Sequence, residues 1–153
     1  MLKNRSGQGA SEYLIILAVV LIVALVAIGL LGAFPSFGGD ARESETKQYW
    51  ASTHPFAIVD FNQQTDTMVL SVKNVGPDRL TLTNITISNV SNATSVIFIG
   101  GATKTLSVSG LQRCNATTYD YFQYDNVTIS YTSSYINNRF TGAKPLLGPC
   151  VTG

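Results

Sequence analysis

Charge is scarce in this chain. Asp, Glu, Lys and Arg make up 12% of its 153 residues, and the formal net charge is +1. Nucleic-acid binding usually needs a basic face, and this balance offers none. Histidine occurs once, as His54. A single imidazole has no second histidine for a metal site and no partner for a serine or cysteine triad, so His54 reads as a polar residue at a helix end. The two cysteines, Cys114 and Cys150, are far apart and not in a CxxC arrangement, which argues against zinc or redox chemistry. No glycine-rich phosphate loop is present. The carboxylates Asp60, Asp66, Asp78, Asp120 and Asp125 are scattered. Asp120 and Asp125 could bind calcium with backbone oxygens, but nothing fixes their spacing. The expectation is a protein that is not an enzyme, with no cofactor and no metal.

Apolar residues, by contrast, make up 45% of the chain, and they are unevenly placed. From Leu14 to Phe34 there is no charged or strongly polar side chain. About twenty such residues in a helix span roughly 30 Å, the thickness of a bilayer core. The run is apolar on every face, so it belongs in lipid or among other apolar helices. Lys3 and Arg5 precede it, and Asp40, Arg42, Glu43 and Glu45 are the first charges after it. Positive charge at the start places the N-terminus in the cytoplasm and the long C-terminal part outside. Against a secretory signal peptide, the run is too long, and Ala33-Phe34-Pro35 is a poor small-residue cleavage site. A plain membrane anchor is the stronger rival. The small residues Ala18, Ala24, Ala27, Gly29 and Gly32 would let helices approach closely.

The residues before the run separate the remaining readings. They are Ser6-Gly7-Gln8-Gly9-Ala10-Ser11-Glu12-Tyr13. A carboxylate at the lip of a long apolar helix costs on the order of 2–3 kcal/mol to bury without a partner, and a lone anchor has little use for it. Gly7, Gln8, Glu12 and the run from Leu14 match, in order and spacing, the class III signal peptides of archaeal type IV pilin-like proteins, which this stretch resembles. The glutamine-initiated form is most similar to an adhesion-type pilin. The resemblance covers about the first third of the chain. It implies cleavage between Gly7 and Gln8 by a membrane-bound prepilin peptidase on the cytoplasmic side, with the helix retained. It also implies a homo-polymer assembled through the N-terminal helices. Cleavage would free an amine on Gln8. Glu12 of a neighbouring copy would pair with it, since a slipped subunit would bury an unpaired charge. Cyclisation of Gln8 would instead leave Glu12 to accept a hydrogen bond. The other reading of Glu12 is a favourable interaction with the helix dipole.

Phe34-Pro35-Ser36-Phe37-Gly38-Gly39 should interrupt the helix. Asp40 is a candidate N-cap for a second helix from Ala41 to about Thr53, ended by His54-Pro55; a flexible linker is the alternative. Gln48-Tyr49-Trp50 followed by Pro55-Phe56-Ala57-Ile58 resembles the helix-to-head junction of the same family. Strands are then expected at 56–61, 67–74, 79–90, 95–99, 104–108, 119–124, 127–132 and 139–144. In 79–90, Leu80, Leu82, Ile85 and Ile87 alternate with threonines across a register shift at Asn84, where a bulge would preserve the facing. Short strands at regular spacing with turn signals indicate a β-sandwich, and the family implies an immunoglobulin-like one. The expected fold class is α+β: a long N-terminal hydrophobic helix and an all-β head. The expected parts are a leader (1–7), an assembly or transmembrane helix (8–34), a kinked stalk or linker (35–54) and an extracellular head (55–153).

In an exported domain Cys114 and Cys150 most simply form one disulfide, worth roughly 4 kcal/mol by chain entropy; two buried thiols are the alternative. Asn84, Asn89, Asn92, Asn115 and Asn126 each open an Asn-x-Ser/Thr acceptor. Five exceed the number expected by chance, and three cluster between Asn84 and Thr94, which points to a glycosylated outer surface. The alternative is that Asn and Thr merely serve polar strand faces and turns. Asn4-Arg5-Ser6 fits the pattern but would stay cytoplasmic. Tyr119, Tyr121, Phe122, Tyr124, Tyr131 and Tyr135 are either cross-strand pairs or a sticky surface for a partner or sugar.

The expectation for the whole is a structural subunit of a surface filament used in adhesion. It would lie in the cytoplasmic membrane as a precursor and at the cell surface once assembled. The rival is a non-polymerising, membrane-anchored surface glycoprotein or minor pilin that binds a ligand through its head.

Overall fold

The structure is a computed structural model. It describes residues 8–32, 36–118 and 120–152, with helix side chains described over 9–29 and from 40 onward. The chain forms two compact units, Met1–Gly38 and Gly39–Gly153.

The first unit holds α1, Gln8–Gly32, a 25-residue helix about 37 Å long. β-Branched residues dominate much of it, and they are indifferent helix formers in water. In an apolar medium the helix wins because it satisfies its own backbone hydrogen bonds. Thirteen large apolar side chains from Tyr13 to Ile28 remain 42–66% exposed. The span Gly9–Gly29 is long and apolar enough to cross a membrane, and none of it is buried by the rest of the chain.

The second helix, α2, runs over Ser36–Ala51. It begins four residues before the expected cap, so Asp40 lies inside the helix and is not its N-cap. The Asp40 carboxylate instead accepts a hydrogen bond from the Tyr121 hydroxyl at 3.3 Å. From residue 39 onward the helix belongs to the same compact unit as the strands, not to a separate stalk. Trp50 holds it there. Its side chain is fully buried, and its indole N–H donates to the Pro145 carbonyl at 3.1 Å. Its ring meets Phe140 edge-on at 6.3 Å. Tyr49 Oη accepts from the Ala143 backbone N–H at 2.7 Å, and Lys144 pairs with Glu45.

Eight strands follow: β1 (Phe56–Asn74), β2 (Leu80–Ile87), β3 (Val90–Phe98), β4 (Thr103–Cys114), β5 (Tyr121–Tyr124), β6 (Thr128–Ser133), β7 (Ile136–Thr141) and β8 (Leu146–Val151). They form two four-stranded sheets, β4-β1-β8-β5 and β3-β2-β6-β7. Neighbouring strands are antiparallel except β1 and β8, which pair in parallel at Gln63–Cys150 and Gln64–Val151. Phe56, Ile58, Met68, Leu70 and Val72 of the first sheet face Leu80, Leu82, Ile85, Ile87 and Ile129 of the second, all buried. The class is α+β with a sandwich head, as the alternation predicts.

The register shift expected near Asn84 is present. The pairings of β2 with both neighbours skip between Leu82 and Asn84, which keeps Leu80, Leu82, Ile85 and Ile87 on the inner face. Other strand limits differ. The segments expected at 56–61 and 67–74 are one strand, β1, kept continuous through its polar middle by Gln63. That residue is fully buried, and its Nε2 donates to Thr65 O and Gln112 O at 3.0 and 2.7 Å. The segment 79–90 is cut by a two-residue turn at Ser88–Asn89, with Ser88 at φ 54°.

Candidate functional site

Two regions carry the residues singled out by sequence. The first is the start of α1. Gly7, on the leader side of the expected cleavage point, lies outside the described residues; Gln8 is the first described residue of α1. Glu12 is the fifth residue of α1 and is exposed. Dipole effects fade beyond the first turn, and the orphan N–H groups belong to the first four residues. One turn further along the same face stand Ile15 and Ile16, then Val19, all exposed. Glu12 is thus a carboxylate on an otherwise apolar face, placed to meet whatever covers that face.

The second region is the surface of the head. Cys114 and Cys150 are joined in a disulfide with Cα atoms 5.6 Å apart, closing 36 residues of sequence. It ties the end of β4 to β8 on either side of β1, where Thr65 pairs with Cys114 and Gln63 with Cys150. Beside it lies a concavity of about 180 Å³ that includes Arg113, Asp120 and Tyr124 in its lining. Tyr124 donates to Gln112 O at 3.2 Å, and burial raises its phenol above the ordinary tyrosine value. Glu45 is held below the usual carboxylate range, first by the hydrogen bond from Lys144 and then by its charge.

The five sequons separate by environment. Asn89 is exposed in the β2–β3 turn and Asn126 in the segment between β5 and β6. Asn115 is exposed too; its Oδ1 accepts from the N–H and hydroxyl of Thr117 at 3.0 and 2.6 Å, which leaves its Nδ2 without a partner among the described residues. Asn84 and Asn92 are half-buried with Nδ2 engaged, by Ser91 Oγ and Ser107 O, each at 2.7 Å.

The aromatic residues do not form one strip. Tyr119 lies outside the described residues. Phe122 and Tyr124 stack at 5.9 Å on the inner face of β5, neighbours along one strand and not a cross-strand pair. Tyr131 packs on Phe56 at 5.4 Å, Tyr121 is surface-exposed, and Tyr135 is fully exposed at the β6–β7 turn. His54 is exposed after α2, and among the described residues no cluster of His, Cys, Asp and Glu is arranged to hold a metal ion.

A feature that the linear sequence did not single out is the outer face of the second sheet. Three outward rows cross β2, β6 and β7: Thr86–Thr128–Thr141, Asn84–Ser130–Arg139 and Thr81–Thr132–Asn137. β3 extends them with Ser91, Ala93 and Ile97. Thr128 and Thr141 hydroxyls lie 3.0 Å apart, and Thr132 donates to Asn137 at 2.9 Å. Arg139 is the one charge in these rows. The alternation of Thr with apolar residues could have shown the face, but only strand pairing places Arg139 at its centre.

No family model matches the chain, and no curated protein is similar enough to count as a relative.

Proposed function

We propose that the chain is the precursor of a structural subunit of an archaeal type IV pilus-like filament used in adhesion. The leader is removed after Gly7 by a prepilin peptidase, α1 holds the precursor in the cytoplasmic membrane, and assembly bundles α1 with its copies into the filament core. The head then coats an extracellular filament. The role is structural, without catalysis.

The observation that carries this reading is the nakedness of α1. Thirteen large apolar side chains stay about half exposed. Covering what remains is worth on the order of 10–20 kcal/mol, at the usual 1.5–3 kcal/mol per large apolar side chain. That matches the whole stability of a typical domain. Lipid supplies the cover in the precursor and neighbouring helices supply it in the filament. Glu12 favours the second environment, because its charge is unpaired in lipid and meets the new Gln8 amine in a bundle. The pair selects one axial register more than it adds stability.

Mass measurement on sheared surface filaments tests the proposal. The filament fraction should contain this chain beginning at Gln8, with a further loss of ammonia if Gln8 cyclises. Finding the chain only in membranes, with Met1 or the leader still attached, would favour the anchored, non-polymerising reading.

A further inference from the structure

Three basic groups of the head have an ion-pair or ring partner among the described residues. Lys47 pairs with Glu43 at 2.8 Å, Lys144 pairs with Glu45, and Lys104 lies over the Phe98 ring. Arg139, like Arg42, Lys73, Arg79 and Arg113, has no ion pair or ring contact among the described residues, and what distinguishes it is its place. It stands in the central outward row, beside Ser130, and no carboxylate occupies any of the three rows. Around it opens a concavity of about 400 Å³ lined by Thr83, Ser130, Tyr131, Asn137, Asn138 and Arg139. That volume falls at the small end of ligand sites, roughly 300–1,000 Å³. At the end of the same hairpin Ser134 and Tyr135 both have positive φ, 44° and 80°. A bulky side chain in that region is strained, and strain of this kind is a pointer to function. Here it holds a fully exposed phenol ring two residues from Asn137.

We propose that this face binds an acidic saccharide. The guanidinium fork pairs bidentately with a carboxylate or sulfate. Serine and threonine hydroxyls and asparagine amides each donate and accept, so they can replace water around sugar hydroxyls. Tyr135 supplies a flat apolar face for a sugar ring. The charge count selects this class over two others. A nucleic acid would need several cations along its backbone. An acidic peptide would need several apolar contacts in desolvated pockets, whereas the apolar groups at this face, Ile97, Tyr135 and Ile136, stand exposed at its edges. Asn84 lies in the central row, but its amide is already engaged by Ser91, which leaves the row open. The proposal deepens the adhesion part of the reading above and does not depend on polymerisation.

The test uses the full chain in micelles of a detergent without a sugar headgroup, with the mass of Asn84 checked to be unmodified. Calorimetry is run with an oligogalacturonate, a chondroitin sulfate oligomer and a neutral malto-oligosaccharide of equal length. At least one acidic oligomer should bind more tightly than the neutral one and weaken as salt is raised. Arg139→Gln should lower that affinity roughly 10- to 100-fold, the worth of a charged hydrogen-bonding group. Arg113→Gln, which removes an exposed cation from the other sheet, should leave it unchanged. Absence of binding by both acidic oligomers, equal binding of the neutral one, or equal losses in the two variants would overturn the proposal.

Discussion

The helix α1 and the head place their apolar side chains in opposite ways. In α1 they point outward all round, and none of the span is covered by the chain itself. In the head they point inward between two sheets, and the outward rows are hydroxyls and amides with a single arginine. The head contains its own core; α1 leaves its apolar side chains uncovered. A substitution that is trivial in one region should therefore be severe in the other.

The largest break in that comparison is an added charge. Val20→Arg puts a cation at the middle of α1, at a cost of roughly 2.5–3.5 kcal/mol per chain on insertion scales. Surface filaments should be lost, as read by microscopy, while cell fractionation should still find the chain inserted, because the apolar remainder of α1 outweighs one arginine. Thr105→Arg, on an exposed position of β4, should shift thermal stability of the head by no more than about 0.5 kcal/mol.

Within the head the largest loss of stability is expected for Trp50→Ala. It removes the buried ring that joins α2 to the head and should cost about 3–5 kcal/mol in denaturant unfolding. Gly142→Ala probes the same contact from the other side, since a Cβ there would run into the indole. Its cost should be about 1–3 kcal/mol. Replacing both cysteines by serine should lower head stability by about 4 kcal/mol, the chain-entropy value for a loop of this length. Insertion of α1 should be unaffected by any of these changes.

The smallest effect sharpens the picture of the outer surface. Glycopeptide mass spectrometry should find sugar at Asn89, Asn115 and Asn126, and little at Asn84 and Asn92, whose amides are engaged. The reverse pattern would mean that modification precedes these hydrogen bonds. Little change in unfolding free energy is expected on removing sugars from these exposed positions.

How much of this was legible in the sequence follows from where the signal is local. α1 could be read because every position repeats the same message. The bulge of β2 could be read because its alternation slips by one residue at a single place. β8 was missed: Pro145, Gly148 and Pro149 look like loop, yet Gly148 is where the Phe122 ring packs closely, 3.0 Å from where a Cβ would sit, and Pro149 pairs opposite Tyr121. β7 was expected at 139–144 and lies at Ile136–Thr141. Its turn carries Ser134 and Tyr135 where glycine or asparagine is the usual marker. At the candidate site, Glu12 was legible because it stands at the lip of an apolar run. Arg139 was not, because its meaning depends on neighbours from other strands.

The central claim is that α1 is an assembly element and not only an anchor. Glu12→Ala in the full precursor, followed by electron microscopy of the cell surface and mass analysis of the membrane fraction, tests it most directly. The account predicts a chain still inserted and still cut after Gly7, with filaments absent. Filaments of normal number and length, built from the processed variant, would contradict it.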